Sequence, residues 1–169
     1  VVCLQETKLA DDAFAELLGD ELAQRGYEVA AHGEPAWNGV AILSRAGLED
    51  VVAGLPGGPG FPHQEARAVA ATCGGIRIVS VYVPNGRTPD SDHYRYKLEW
   101  LAALRERVRD QPTIVCGDMN IPPADDDVLA TDVAREVERP VDDDPPEVGT
   151  VPLEPDHLPG DDRHLGATV

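Results

Sequence analysis

Hydrophobic and polar positions along this chain follow two periods, one of strands and one of helices. Val1-Val2-Cys3-Leu4 and Thr113-Ile114-Val115-Cys116 are short, unbroken apolar runs, and they predict buried strands over 1–5 and 113–117. Tyr27–Ala31, Gly39–Ser44, Leu48–Ala53, Ala66–Cys73 and Ile76–Val83 read as further strands. The last two are joined by Gly74-Gly75, a two-residue link that predicts a hairpin. A helical period covers about 11–25, with Phe14, Leu17, Leu18 and Leu22 on its apolar face. Asp11 is placed to cap it and Gly26 to end it. A second helix is predicted over about 91–110, with Tyr94, Leu98, Leu101, Leu104 and Val108 on one stripe. Residues 54–64 are rich in Gly and Pro and predict a loop.

The resulting order is β-α-β-β-β-β-β-α-β. Hairpins mixed with helices predict an α+β fold in which sheets pack on each other with helices outside. The pattern fails after Val128. Residues 129–138 predict at most one short helix. Beyond them come Pro140, Pro145, Pro146, Pro152, Pro155, Pro159 and the Asp142-Asp143-Asp144 run. The chain therefore divides into a periodic domain, 1–128, and an acidic, Pro-rich tail, 129–169, expected to be irregular and poorly ordered.

Charge sharpens this division. The net charge is −17, and residues 125–169 alone hold 14 acidic and 3 basic side chains. An acidic surface opposes non-specific nucleic-acid binding, so a DNA substrate would require a local basic patch. Arg87, Arg95 and Lys97 are candidates for it, while Arg105, Arg107 and Arg109 fit a solvated helix face. No stretch of the sequence is long and apolar enough to suggest a membrane span, and no leader pattern is visible. Cys3, Cys73 and Cys116 lack metal spacing and lie in apolar strands. Reduced, buried thiols in a cytoplasmic, monomeric protein are the expectation. The chain opens with Val1 inside a strand, so a natural start farther upstream is expected.

The candidate chemistry sits where strands end. Glu6 follows the first strand and offers a hard oxygen suited to Mg²⁺, which takes one or two carboxylates and keeps several waters. An exposed carboxylate opening a loop is the plain alternative. Asp118 and Asn120 follow the 113–117 strand one residue apart, and alternation would point both the same way. Asp118 could accept a proton from an attacking water and Asn120 could donate to a phosphate oxygen; a simple turn is the alternative. Tyr82 precedes Val83-Pro84-Asn85-Gly86, a tight exit that would set its hydroxyl at a strand end, unless it is a core tyrosine. Arg67 lies in a strand and needs a partner. Asp125-Asp126-Asp127 lacks the glycine and glutamate of a calcium loop.

Taken together, Leu4-Gln5-Glu6-Thr7-Lys8, Trp37-Asn38-Gly39-Val40-Ala41-Ile42-Leu43-Ser44, Val81-Tyr82-Val83-Pro84-Asn85-Gly86, Tyr96-Lys97-Leu98 and Gly117-Asp118-Met119-Asn120-Ile121 resemble the bacterial exodeoxyribonuclease III family, within the endonuclease/exonuclease/phosphatase superfamily. The motifs occur in family order over residues 1 to about 128. The resemblance implies a four-layered α/β sandwich, two mixed sheets packed face to face with helices outside. It implies Mg²⁺- or Mn²⁺-dependent hydrolysis of duplex DNA at 3′ ends and abasic sites. By motif, Glu6 resembles the metal-binding glutamate, Tyr82 the phosphate-contacting tyrosine, Asp118 the aspartate that activates water, and Asn120 the asparagine that positions the phosphate. Asn85, Arg87 and Lys97 fall where substrate contacts are expected.

The departures are equally specific. The family's asparagine-bearing first strand and its Arg-Ile-Asp strand have no counterpart. Asp156-His157 echoes the closing Ser-Asp-His segment as a candidate acid/base pair, but it comes early and no apolar strand flanks it. The site is therefore expected to be incomplete, with impaired activity. A catalytically inactive fragment or gene remnant, and a phosphodiesterase or phosphatase of the superfamily acting on a lipid or inositol phosphate, are the competing readings.

Overall fold

A computed structural model of the chain describes residues 1–121. The readings that fall on 129–169, including the short helix and the order of the tail, lie outside the described residues. So do Asp125-Asp126-Asp127 and the Asp156-His157 pair.

The nine elements occur in the expected order: β1 (Val2–Gln5), α1 (Asp11–Gln24), β2 (Glu28–His32), β3 (Val40–Ser44), β4 (Glu49–Ala53), β5 (Ala68–Cys73), β6 (Ile76–Tyr82), α2 (Asp92–Val108) and β7 (Thr113–Asp118). They build two sheets, ordered β1-β3-β2 and β4-β5-β6-β7. Among the described residues the first is antiparallel. The second is mixed, because β7 returns from α2 to run parallel to β6. The β5–β6 hairpin turns on Gly74 and Gly75 at φ 56° and 81°, a left-handed pair that glycine adopts freely.

Alternation along the strands sets four layers. Val40 and Ile42 of β3 meet Val69, Ala71 and Cys73 of β5 and Ile78 of β6 between the sheets. Ala41 and Leu43, on the other face of β3, pack with Phe14, Leu18 and Leu22 of α1. Ala68, Val79 and Val81 pack with Tyr96, Trp100 and Leu104 of α2 on the outer face of the second sheet. The order of layers is therefore α-β-β-α. Among the described residues no helix is long and apolar enough to cross a membrane.

Three local expectations are corrected. Asp11 is the first helical residue and does not cap α1; the N-cap is Ala10, and the Asp11 carboxylate instead accepts from the Gly33 amide at 2.7 Å. Leu17 is 68% exposed, so the buried face of α1 excludes it. The buried stripe of α2 runs through Tyr96, Lys97, Trp100 and Leu104, whereas Leu98 is half exposed. The register of α2 is fixed by Ser91, whose side chain accepts from the Tyr94 amide at 3.1 Å.

Candidate active site

The ends of β1, β6 and β7 lie together at one edge of the sandwich. Tyr82 and Asp118 are directly in register at the ends of the parallel pair β6–β7. Their ladder continues one step, from the Val83 amide to the Asp118 carbonyl at 2.9 Å. Strand β1 crosses below, pinned by Ser80, whose hydroxyl donates to the Leu4 carbonyl and accepts from Gln5 Nε2, both at 3.2 Å. Glu6 follows in a left-handed conformation, φ 52°. That turn sets its carboxylate beside Tyr82, whose phenol feels the charges of both Glu6 and Asp118. Lys8 pairs with Glu6 at 2.8 Å. The bond and charge of Lys8 hold the Glu6 carboxyl below its usual range. Burial, and then the Glu6 charge, push the Tyr82 phenol up, so it remains a donor.

Asp118 and Asn120 are brought together by a turn, not by strand alternation. Asn120 is left-handed, φ 49°, and its amide N–H donates to Asp118 Oδ1 at 2.8 Å. This fixes one carboxylate oxygen, and among the described residues no hydrogen bond engages Oδ2. The Asn120 side chain donates to the Val83 carbonyl at 2.8 Å, which occupies one of its two N–H groups. Lys97 completes this turn from below. It is 8% exposed, and its ammonium donates to the Asn120 carbonyl at 2.6 Å. Burial pushes the Lys97 amine down, partly opposed by the Asp118 charge. Lys97 is thus a buried support for Asn120, not the exposed substrate contact expected of it.

A pair of side chains that the sequence did not single out as a unit stands behind Tyr82. Arg67 Nε and Nη2 grip both oxygens of Glu65 at 2.7 and 3.2 Å. Both side chains are 15% exposed or less. The same guanidinium reaches the Tyr82 carbonyl at 3.3 Å and lies 4.9 Å from the centre of the Tyr82 ring. It therefore orients Tyr82 by a hydrogen bond and a cation–π contact. Burial pushes the Glu65 carboxyl up, but the bonds and charge of Arg67 outweigh it, and the group ends below its ordinary value. The available signal was the i, i+2 spacing of opposite charges in Glu65-Ala66-Arg67, which puts both on one side of an extended segment.

A groove of about 500 Å³ opens beside these groups. Tyr82, Asn85 and Arg87 line it, with Trp37, Phe61 and His93 supplying aromatic walls. Asn85 and Arg87 are exposed. Asn85 Oδ1 accepts from the Arg87 amide at 2.9 Å, which shapes the left-handed Arg87 turn, φ 57°. The basic patch expected of Arg87, Arg95 and Lys97 does not form: Arg95 pairs with Asp92 on the exposed face of α2, and Lys97 is buried. A separate cavity of about 120 Å³, lined by Arg77, Leu104, Arg107 and Thr113, lies at the opposite end of β6 and β7.

The metal expectation rests on Glu6. Among the described residues no three His, Cys, Asp or Glu side chains cluster at a metal's distance. One exposed carboxylate with waters still fits Mg²⁺, provided Lys8 releases it.

The profile of the Endonuclease/Exonuclease/phosphatase family matches residues 1–162. The chain belongs to that family. An exodeoxyribonuclease III of Haemophilus influenzae is 29% identical over 145 residues, covering 80% of this chain and 52% of that protein. A Bacillus subtilis exodeoxyribonuclease is 27% identical over 125 residues, covering 72% of this chain and 47% of its own. Among solved structures, a 3′-5′ exonuclease of Neisseria meningitidis superposes with a TM-score of 0.68 at 40% identity, over 79% of this chain and 52% of that one. An AP endonuclease of Archaeoglobus fulgidus gives 0.65 at 37% identity, over 78% and 51%. A Neisseria 3′ phosphatase bound to a product DNA hairpin gives 0.64 at 40%, over 73% and 48%. The chain spans about half the length of these relatives. The four-layered α+β sandwich of the family is the fold described above, over the strands and helices present here.

Proposed function

We propose that this edge of the sandwich hydrolyses phosphodiester bonds of DNA, at 3′ ends and abasic sites. The observation that carries the proposal is the meeting of Glu6, Tyr82 and Asp118 at the ends of three adjacent strands, with Asn120 turned onto Asp118. Asp118 Oδ2 takes the proton from an attacking water. Tyr82 donates to a phosphate oxygen, and the second N–H of Asn120 holds another as charge develops. Asn85 and Arg87 contact the flanking phosphates along the groove. Glu6 would hold Mg²⁺ or Mn²⁺, which when bound supplies Lewis-acid polarisation of the phosphate. The names of the relatives, an exodeoxyribonuclease III, a 3′ phosphatase holding product DNA and an AP endonuclease, support DNA as substrate. A cytoplasmic monomer is part of this proposal and rests on the sequence alone.

One observation favours a second reading, a catalytically inert piece of the fold: the described residues place a single carboxylate at the metal position. The experiment is hydrolysis of three substrates with Mg²⁺ and with a chelator: a duplex with one abasic site, a duplex with a recessed 3′ end, and an inositol phosphate. Chelator-sensitive cutting of the DNA substrates alone supports the proposal. Turnover of the inositol phosphate alone would replace DNA as substrate, and no turnover of any would support the inert piece.

A further inference from the structure

The three cysteines, expected to be equivalent buried thiols, occupy different environments. Cys73 is 3% exposed in the core between the sheets. Cys3 and Cys116 are half-buried. Cys3 belongs to β1 and Cys116 to β7, each the edge strand of its own sheet among the described residues. Cys116 is in register with Ser80 of β6, and residues in register project from the same face of a sheet. Ser80 faces β1, as its bonds to Leu4 and Gln5 show, and it lies beside the Cys3 thiol. Cys116 therefore projects into the same space between the sheets as Cys3, which is in register with the inter-sheet residue Ile42 of β3. Burial, and then the neighbouring Cys116, push the Cys3 thiol up to about 11, so it carries its proton at neutral pH.

We propose that Cys3 and Cys116 are an oxidisable dithiol, a modification site at which a peroxide forms a disulfide between the two sheets. The thiolate of Cys116 attacks one peroxide oxygen, the O–O bond breaks, and the departing hydroxide takes up the proton that the Cys116 thiol released, so the products are a sulfenic acid and water. The sulfur of Cys3 then attacks the Cys116 sulfur. The S–O bond breaks, hydroxide leaves, and the Cys3 proton completes a second water. Two thiols lose two electrons in total, and one peroxide is reduced to two waters. Both thiols are half-buried, which lets the oxidant reach them without opening the core that holds Cys73.

The bond would tie the strand that leads into Glu6 to the strand that leads into Asp118. Its formation does not depend on the proposed hydrolysis. The experiment is a brief treatment of the full chain with hydrogen peroxide, alkylation of the remaining thiols, tryptic digestion without reductant, and mass spectrometry. Cleavage separates the cysteines into peptides 1–8, 68–77 and 110–135. The expected product joins 1–8 to 110–135 within one chain, leaves Cys73 alkylated, and returns to three alkylated peptides after dithiothreitol. The same linkage is expected in Cys73→Ser, and it is absent in Cys3→Ser. A disulfide that includes 68–77, a linkage only between chains, or oxidation of Cys116 to the sulfinic acid with Cys3 still alkylated would overturn the proposal. Those outcomes are read on the unaltered chain, so they stand even if a variant fails to fold.

Discussion

Gly117 is the residue on which the placement of Asp118 against Tyr82 depends most. It sits at φ 144°, paired in register with Val81 one step before Tyr82 and Asp118. A Cβ at this position would lie 1.9 Å from the Val81 carbonyl oxygen, 2.9 Å from its carbon and 3.0 Å from its nitrogen. All three are backbone atoms of a strand buried between β5 and β7, so none can turn aside as a side chain would. Gly117→Ala must part β6 from β7 locally by about 1 Å, and overpacking of this kind costs roughly 1–3 kcal/mol. The same displacement falls on Asp118 relative to Tyr82, and about 1 Å of misplacement lowers a rate on the order of 100-fold. Gly75→Ala is the control. Gly75 also has positive φ, 81°, but nothing lies within 4 Å of its added Cβ, and the turn is remote from the site. Its cost is the left-handed backbone alone, about 1–2 kcal/mol, with no loss of rate. Urea unfolding midpoints and initial cleavage rates of the two variants separate the cases. A Gly117→Ala chain that keeps its full rate, or loses less stability than Gly75→Ala, would refute the reasoning.

Three further outcomes follow from the same contacts. Lys97→Met removes the ammonium from the Asn120 carbonyl, a charge-assisted bond of about 1.5–3 kcal/mol, and should lower kcat while leaving KM for DNA unchanged, because Lys97 does not line the groove; a rise in KM alone would return Lys97 to substrate binding. Arg67→Met leaves Glu65 buried without its partner and should cost about 3 kcal/mol in urea unfolding, with Tyr82 losing its support; an unchanged midpoint would show the pair to be idle. Glu65 has a depressed carboxyl in the folded state, so its stabilisation is fully present above the ordinary value of 4.5 and is lost as pH falls through the lower folded value. Glu65→Gln should therefore flatten the fall in stability below about pH 4.5, and an equally steep fall in the variant would contradict that assignment.

Strand and helix identity was legible because most strands carry a short apolar stretch bounded by turn residues. Gly74-Gly75 located the hairpin, and Gly26, at φ 77°, ended α1. What the sequence hid was the direction in which residues face. Lys97 reads as a surface cation by composition, yet its stem lies against Gly86 and its ammonium finds a backbone carbonyl, so the buried stripe of α2 is rotated from the one drawn through Leu98. Leu17 and Leu18 adjoin on α1, and only the sheet beneath decides which is covered. Glu6, Tyr82, Asp118 and Asn120 could be chosen from strand ends. Their mutual contacts depend on left-handed turns at Glu6 and Asn120, which neither residue type announces. Glu65 was passed over because it lies outside any periodic segment, although it anchors the arginine behind Tyr82.

The central claim is that Asp118 is the base of a phosphodiester-cleaving site built on the ends of β1, β6 and β7. The most direct measurement is the initial rate at which the unaltered chain and Asp118→Asn cut a duplex bearing one abasic site in Mg²⁺. Asparagine keeps the shape and can still accept from the Asn120 amide, but it cannot take a proton. The account predicts chelator-sensitive cleavage by the unaltered chain, slower than an ordinary enzyme rate of ~10 s⁻¹, and a further fall of about 10²–10⁴-fold in the variant. Equal rates for the two chains, or no cleavage by the unaltered one, would contradict it.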